Sequence, residues 1–519
     1  MTAIQTVVVL LAVVAAVAVA ARRLGIPYPI LMVVAGLGLG LIPGVPAVEL
    51  EPDLVLFLFL PPILFGAAFT SSPRELWRNK RPISLLAFGL VLTTTLAVAA
   101  VITVLVPAMP LPAAIALGAI VSPPDAIAVT ALAHRLGLPR RLVTILEGES
   151  LVNDATALVT YRFAVAAALT GAFSLGDAAV TFVVAAVGGV VIGLIVGTLV
   201  NFLFERLDDP PVEVLVSLIA PFAAYLPAEA LHVSGVLAVV TAGLWHGWRA
   251  PRIIRSDTRV LGSGAWAIMI FVVNGLAFLL IGLQLRGVMA DVGGRSVAEL
   301  LGLAGVVLAT VVLVRLAWVF PATYLPRWLI PGLAERDPAP PARTVLVLGW
   351  AGMRGAVSLA AALALPTDFP ERELIVFVTL ATILATLVGQ GLTLPLLIRR
   401  LGVGGDDATE QEELEARRVA TEAAVLRLDA LVTEMPGHVP LIDKMRDLYV
   451  HRSGHYGRPG DDDATLDEQE AREHDEIRKA VLSAERIAVI ELLERGEIGE
   501  EALRRVERDI DLEEIRDRT

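Results

Sequence analysis

The chain has 519 residues, of which 56% are hydrophobic and only 18% are charged, and its mean hydropathy is +0.71. With repeated apolar runs of about 20 residues, this composition predicts an all-α polytopic membrane protein and excludes a single soluble core. The sequence contains no cysteine, which excludes disulfide bonds, thiolate catalysis and cysteine zinc sites, and no basic face indicates a nucleic-acid partner.

The formal net charge of −12 is distributed unevenly. From Gly402 onward we count 32 acidic and 17 basic residues, a net charge of −15, whereas residues 1–401 carry 22 acidic and 25 basic residues, a net charge of +3. This division predicts a membrane domain over residues 1–402 and an acidic, helical, soluble domain over residues 403–519.

Apolar runs between glycine, proline and charged residues give thirteen predicted membrane spans. They lie near residues 4–21, 26–43, 53–70, 83–106, 112–134, 142–168, 178–203, 214–231, 236–248, 260–285, 298–325, 344–365 and 373–398. We interpret the first run as a span rather than a signal peptide, because its basic residues follow the apolar stretch. Loops on one side then hold 19 basic residues and loops on the other side hold three. The positive-inside rule predicts an outside N-terminus and a cytoplasmic C-terminus in the plasma (inner) membrane.

The sixth predicted span contains Glu147, Glu149 and Asp154 among apolar residues. Ionisable groups at bilayer depth cost about 2.5 kcal/mol or more each, so they indicate function by default. Ser150 and Asp154 are four residues apart and share one helix face, while Glu149 and Asn153 share a second face about 100° away. One helix thus presents a hydroxyl with a carboxylate and, beside them, a carboxylate with an amide.

Two other predicted spans are interrupted at mid-membrane. The fifth contains Ser122-Pro123-Pro124-Asp125, and the twelfth has Gly352 and Gly355 on either side of Arg354. Successive prolines leave backbone carbonyls unpaired, which a membrane tolerates only where they line a polar cavity. Interrupted spans at corresponding places in two halves of a chain indicate a transporter's binding site, and the predicted topology runs these spans in opposite directions.

These groups suit the exchange of a small cation for a proton. Carboxylate, hydroxyl and carbonyl oxygens are hard ligands that fit a dehydrated alkali cation. Burial disfavours the charged form of a carboxyl group, so a proton and a cation can compete for Asp154. Because Asn153 cannot titrate, a single exchanging carboxylate predicts one proton per cation and electroneutral transport. Glu147 is interpreted as a solvated carboxylate nearer the cytoplasmic end.

Three arginines lie inside predicted spans and require counter-charges, water or a route to the interface: Arg162, Arg315 and Arg354. We predict a buried ion pair between Glu149 and Arg354 that braces the site without carrying cations. Asn274 and Gln284 are interpreted as hydrogen-bonding bridges between helices. No histidine has a partner at ligand spacing within a span, so neither a transition-metal centre nor a resident cofactor is expected.

The string GESLVND at Gly148–Asp154 resembles the signature of the cation:proton antiporter-1 family, which contains NhaP-type sodium/proton antiporters and animal sodium/proton exchangers. Further matching motifs are FLPPILF at Phe59–Phe65, SPPD at Ser122–Asp125, SGVLA at Ser234–Ala238, FLLIGLQL at Phe278–Leu285 and GMRGAVSLA at Gly352–Ala360. The motifs follow a consistent order across residues 5–400, and their joint order is highly specific.

The resemblance implies an inverted-repeat fold of about thirteen helices with two broken, crossing helices. It also implies a homodimer and an elevator-like movement of a core domain against a dimerisation domain. Asp154 would bind the monovalent cation and exchange the proton, with its neighbours in the site being Asn153, Ser150 and Asp125. The broken-helix backbone would come from Ser122, Pro123, Pro124 and Gly352, and the structural ion pair from Glu149 and Arg354.

The chain departs from the family at one position of the site. Many members have threonine before the aspartate of the fifth span, where this chain has Pro124, so a side-chain ligand gives way to backbone carbonyls or water. This difference leaves the choice among Na⁺, Li⁺ and K⁺ open.

Two other classes share some of these features. A cation channel also has polar residues at membrane depth, but it requires a continuous pore rather than one titratable site. An intramembrane aspartyl protease requires two facing aspartates. Asp125 and Asp154 could superficially serve, but neither lies in a Gly-x-Gly-Asp context, and Arg354 stays unexplained. We therefore expect a transporter rather than an enzyme.

Overall fold

The structure, a computed structural model, describes residues 3–42, 52–125, 137–171, 175–284, 295–403 and 407–454, with single positions and short pieces at 129, 288, 481–485, 487–489, 491, 495 and 506. All regular secondary structure in the described residues is helical, in agreement with the predicted class. The chain divides into two compact units, Met1–Gly405 and Asp406–Thr519.

The described part of the first unit contains eighteen α-helices. They are α1 (Ala3–Leu24), α2 (Tyr28–Leu41), α3 (Pro52–Thr70), α4 (Pro73–Arg78), α5 (Lys80–Ser84), α6 (Val91–Leu105), α7 (Leu111–Val121), α8 (Arg140–Thr170), α9 (Leu175–Phe204), α10 (Pro210–Ala230), α11 (Gly235–Ile253), α12 (Ser256–Leu283), α13 (Val297–Leu329), α14 (Leu333–Arg336), α15 (Ala342–Trp350), α16 (Ala356–Leu363), α17 (Arg372–Ala385) and α18 (Gly391–Leu401). Two π-helical segments, Leu85–Leu90 and Thr386–Gln390, join α5 to α6 and α17 to α18. In the second unit, α19 (Asp407–Glu434) and α20 (Val439–Gly454) are described.

Seven helices of the described residues are long and apolar enough to cross a membrane, and they lie at Gln5–Leu24, Lys80–Leu105, Val180–Phe204, Pro210–Ala230, Ser256–Leu283, Val297–Leu329 and Arg372–Leu401. Shorter apolar helices occupy Tyr28–Gly40, Phe57–Thr70 and Leu111–Val121. Three predicted spans are in neither group. The sixth is α8, which carries several carboxylates, the ninth lies in α11, and the twelfth is divided between α15 and α16. The total of thirteen spans stays a prediction.

The two predicted interruptions are present and lie against each other. Helix α7 ends at Val121 and the chain continues without helix to Asp125, while five non-helical residues separate α15 from α16. The backbone N–H of Asp125 donates to the carbonyl oxygen of Met353 over 2.7 Å. Each break therefore satisfies part of the backbone that the other exposes, as buried polar groups require. Most of the segment after the first break, residues 126–136, lies outside the described residues.

A cluster of charges fixes the first turn of α8 to the loop that follows α14. Asp337 forms salt bridges with Arg81, Arg141 and Arg327, with N–O distances of 2.5, 2.6 and 3.0 Å. Burial raises the pKa of the Asp337 carboxyl, but the hydrogen bond and charge of Arg141 and the charges of Arg327 and Arg81 outweigh it and hold the pKa below its usual value. The helix that carries Asp154 is thus anchored at the end opposite Thr170.

Candidate functional site

A cavity of about 600 Å³ lies beside α8 and the two breaks, with α3 and α12 forming much of the facing wall. Five of the residues that line it were predicted as site or broken-helix residues: Asp154, Ser150, Asp125, Pro123 and Pro124. The predicted residues outside its lining are Ser122, Asn153, Gly352, Glu149 and Arg354. The structure therefore separates the predicted set into groups that face the cavity and groups that lie behind its wall.

Asp154 and Asp125 are the acidic centre of the cavity. Asp154 is 5% exposed, Asp125 and Ser150 are half-buried, and all three line the cavity. Two carboxylates that share a poorly solvated site cannot both remain charged without a cation or a proton nearby. The pair is therefore suited to a mobile positive charge.

The carboxylate of Asp125 rests directly on the second break. A Cβ atom added to Gly355 would collide with Oδ2 of Asp125, so only glycine allows this approach. Because the Asp125 backbone also donates to Met353, the broken segment of the twelfth span holds Asp125 by both its main chain and its side chain.

Asn153 acts behind the cavity wall. Its side chain is fully buried, and its Nδ2 donates to the carbonyl oxygen of Pro124 over 2.9 Å. Its Oδ1 is buried and has no hydrogen-bond partner in the part of the chain that the structure describes. Asn153 thus connects α8 to the first break and places Pro124 and Asp125 relative to Asp154.

The structure corrects the predicted partner of Glu149. The salt bridge of Glu149 is formed with Arg315 of α13, through two parallel contacts of 2.5 Å (Nη1 to Oε1) and 2.9 Å (Nη2 to Oε2). Both side chains are 1% exposed. The face of α8 that carries Glu149 is turned toward α13, and a two-point guanidinium–carboxylate contact is the strongest geometry available to a buried pair.

Arg354, the partner that was predicted, instead neutralises the exposed ends of the broken helices. Its Nε donates to the carbonyl oxygen of Val121 over 2.8 Å, and its Nη1 donates to that of Gly352 over 2.6 Å. These carbonyls belong to the two different breaks. Arg354 therefore joins them and satisfies acceptors that the interrupted helices leave free.

Sequence reasoning missed the polar residues of the facing wall. Besides Glu147, which was predicted at the access to the site, the cavity is lined by Ser217, His246, Thr258, Arg259, Trp266 and Asn274. Of these, Asn274 was interpreted as a bridge between helices. Sequence periodicity contains no signal that aligns polar residues on separate helices with one cavity.

We predict that Glu149→Gln destabilises the protein by about 3–5 kcal/mol, because it leaves the Arg315 charge buried and uncompensated. The double variant Glu149→Gln, Arg315→Met removes both charges and is expected to recover most of the loss. Thermal unfolding in detergent measures the difference. Equal destabilisation in the single and double variants would show that the pair is not coupled.

Comparison with known proteins agrees with this geometry. A family model described as sodium/hydrogen exchanger, transmembrane, matches residues 8–400. An uncharacterized Na⁺/H⁺ exchanger of Mycobacterium tuberculosis is 38% identical over 526 aligned residues, which cover 98% of this chain and 95% of the relative. A sodium, potassium, lithium and rubidium/H⁺ antiporter of Bacillus subtilis is 33% identical and is matched over 92% of this chain and 72% of its own length.

Among solved structures, the sodium proton antiporter MjNhaP1 from Methanocaldococcus jannaschii at pH 8 matches with a TM-score of 0.58 and 21% identity. The match covers 78% of this chain and 99% of that structure, so the two share a fold. With the family model spanning the whole set of motifs, the chain belongs to the sodium/hydrogen exchanger family of membrane transporters, which are not enzymes.

Proposed function

We propose that the protein exchanges a monovalent cation, in the first instance Na⁺, for a proton across the plasma membrane. The observation that carries this proposal is the position of Asp154, which is almost fully buried yet lines a cavity together with Asp125 and Ser150. Membership of the exchanger family supports the same reaction. Oxygen ligands alone are what an alkali cation requires, and the break prolines at the cavity offer carbonyl oxygens beside the carboxylates.

Coupling follows from the cost of an uncompensated charge. A cation bound at Asp154 and Ser150 compensates the charge of the Asp154 carboxylate, and a proton on Asp154 compensates it equally. Closing an empty, charged site off from water costs a large desolvation free energy. The site therefore moves across the membrane poorly when it holds neither a cation nor a proton. The site then carries a cation in one direction and a proton in the other, with no need for a separate energy source.

The name of one relative supports K⁺ as a second candidate for the transported cation. The Bacillus subtilis antiporter is named for sodium, potassium, lithium and rubidium, and this chain has Pro124 where many family members have a threonine ligand. A site with fewer side-chain ligands relies on flexible carbonyls and water, which discriminate less by ion size. A K⁺/H⁺ antiporter of the same fold is therefore the alternative, ahead of a cation channel.

Alternating access is supported by an asymmetry along α8. The cavity reaches only the half of α8 that includes Glu147, Ser150 and Asp154, and it extends to the exposed Arg259 near the loop at residues 249–259. The positive-inside rule places that loop in the cytoplasm, so we assign the structure to an inward-facing state, with the N-terminus outside and the tail inside. An elevator-like shift of α8 and the breaks would expose the site on the other side. The homodimer that the resemblance implies stays a prediction.

On the other half of α8, we propose that a partly exposed salt bridge serves as the closure of the opposite side. Arg162 lies eight residues, or about 12 Å, beyond Asp154 along the helix, and its Nη2 contacts Oε2 of Glu229 at the end of α10 over 2.7 Å. Helix α10 packs mainly with α9, α11, α12 and α3 rather than with α8. The Arg162–Glu229 pair therefore links the helix that carries the site to the facing wall on the side away from the cavity.

We predict that Asp154→Asn abolishes proton movement driven by Na⁺, Li⁺ or K⁺ gradients in reconstituted vesicles, because an amide neither titrates nor supplies a negative charge. Asp368→Asn, at an exposed position outside the cavity, serves as the control and should transport normally. Exchange that persists in Asp154→Asn would refute the proposed role of this carboxylate.

We also predict that exchange by the unaltered protein does not respond to membrane voltage, because one positive charge replaces another on a single carboxylate. The test imposes a voltage across sealed vesicles without a gradient of any transported cation and measures the initial rate of proton movement. A rate that changes steeply with the imposed voltage would show that more than one charge moves per cycle.

Linking positions 162 and 229 should stop transport, because both ends of the proposed closure must separate. The chain lacks cysteine, so Arg162→Cys with Glu229→Cys can be joined by a short reversible thiol cross-linker, and a reductant should restore activity. The matched control joins Arg295→Cys and Glu371→Cys, another salt bridge, of 2.9 Å, near the ends of the packed helices α13 and α17. Undiminished transport by the linked 162–229 pair would reject the closure.

A further inference from the structure

One polar side chain of the facing wall has an oxygen atom without a hydrogen-bond partner among the described residues. Asn274 lies on α12, is 2% exposed and lines the same cavity as Asp154 and Asp125. Its Oδ1 is buried and has no hydrogen-bond partner among the residues that the structure describes. Buried amide oxygens are almost always paired, so an unpaired one beside an ion site indicates a partner that arrives with the ion.

Tyr28 of α2 is the aromatic neighbour of this part of α12. Its ring packs on Phe271, one turn before Asn274, with 5.7 Å between ring centroids. The Oδ1 atom of Asn274 stays without a hydrogen-bond partner among the described residues and is available to another group.

The shared cavity places the amide and the acidic centre of the site around one space. Asn274, Asp125 and Asp154 all line it. An acceptor oxygen near two carboxylates cannot pair with either of them while they are charged, because all of these atoms only accept hydrogen bonds. A cation resolves this conflict, since one positive ion can contact carboxylate and amide oxygens together.

We propose that Oδ1 of Asn274 is a further ligand of the transported cation, supplied by the wall opposite α8 when the site faces this cavity. The inference rests on the proposed function and extends it. A neutral amide oxygen adds coordination without adding charge, so it takes the place that a missing threonine ligand leaves at Pro124 and preserves the one-for-one exchange. The distance between Oδ1 of Asn274 and the carboxylate oxygens then contributes to the selectivity of the site between cations of different size.

The experiment compares Asn274→Ala, Asn274→Thr and Tyr28→Phe in reconstituted vesicles, with Na⁺ and Li⁺ assayed separately. Asn274→Ala should raise the half-saturating Na⁺ concentration about tenfold, as expected for one lost interaction with a charged partner, and should change the ratio of Na⁺ to Li⁺ half-saturation. Asn274→Thr keeps an oxygen and should restore part of the affinity. Tyr28→Phe removes a neighbouring hydroxyl but keeps Oδ1 of Asn274, and should preserve the ion ratio.

The outcomes separate this proposal from the one on which it rests. If Asn274→Ala and Tyr28→Phe change transport equally and neither alters the Na⁺ to Li⁺ ratio, Asn274 only bridges α2 and α12, and the proposal is wrong. If Asn274→Ala does not fold, the ion ratio of Asn274→Thr decides in the same way, and an unchanged ratio rejects the ligand role. Cation/proton exchange that persists in Asp154→Asn would instead overturn the proposed function.

Discussion

A charge in the hydrocarbon layer must be neutralised. In this protein some buried charges have permanent partners within the fold, and others are left for the transported ion. Glu149 has a permanent partner in Arg315, with both side chains withdrawn from solvent. Arg354 has permanent partners in the carbonyls of Val121 and Gly352. Asp154 and Asp125 face a cavity together. The Glu149–Arg315 pair and the contacts of Arg354 stabilise the site, whereas the negative charge of Asp154 and Asp125 is available to the transported ion.

The broken helices follow from the same requirement. Prolines and glycines interrupt two spans, and the freed backbone groups are satisfied by each other, by Arg354 and by Asn153. The oxygen atoms that remain at the cavity are held in fixed positions. Gly355 leaves room for the Asp125 carboxylate, and Asn153 donates a hydrogen bond to the carbonyl oxygen of Pro124. An exchange site of this kind needs firm walls, since a loosely held carboxylate would find a local hydrogen bond in place of an ion.

Much of this arrangement could be predicted from the sequence, since charges and prolines within apolar runs are rare and therefore informative. The two interruptions and the shared helix face of Ser150 and Asp154 depend on local spacing alone, whereas Asp125 was assigned to the same site by the resemblance to the antiporter family. The partner of Glu149 could not be predicted, because Arg315 and Arg354 both lie inside spans and only the packing of α8 against α13 distinguishes them. Asn274 was interpreted as a helix bridge for a similar reason: nothing in its own span shows that α12 faces α8 across a cavity.

The central claim, that one carboxylate accepts a proton or a cation but not both, is tested most directly by proton release on cation binding. Adding Na⁺ to the purified protein in a weakly buffered detergent solution should release about one proton per bound cation, and the release should be absent in Asp154→Asn. Cation binding by the unaltered protein without any release of protons would contradict the account.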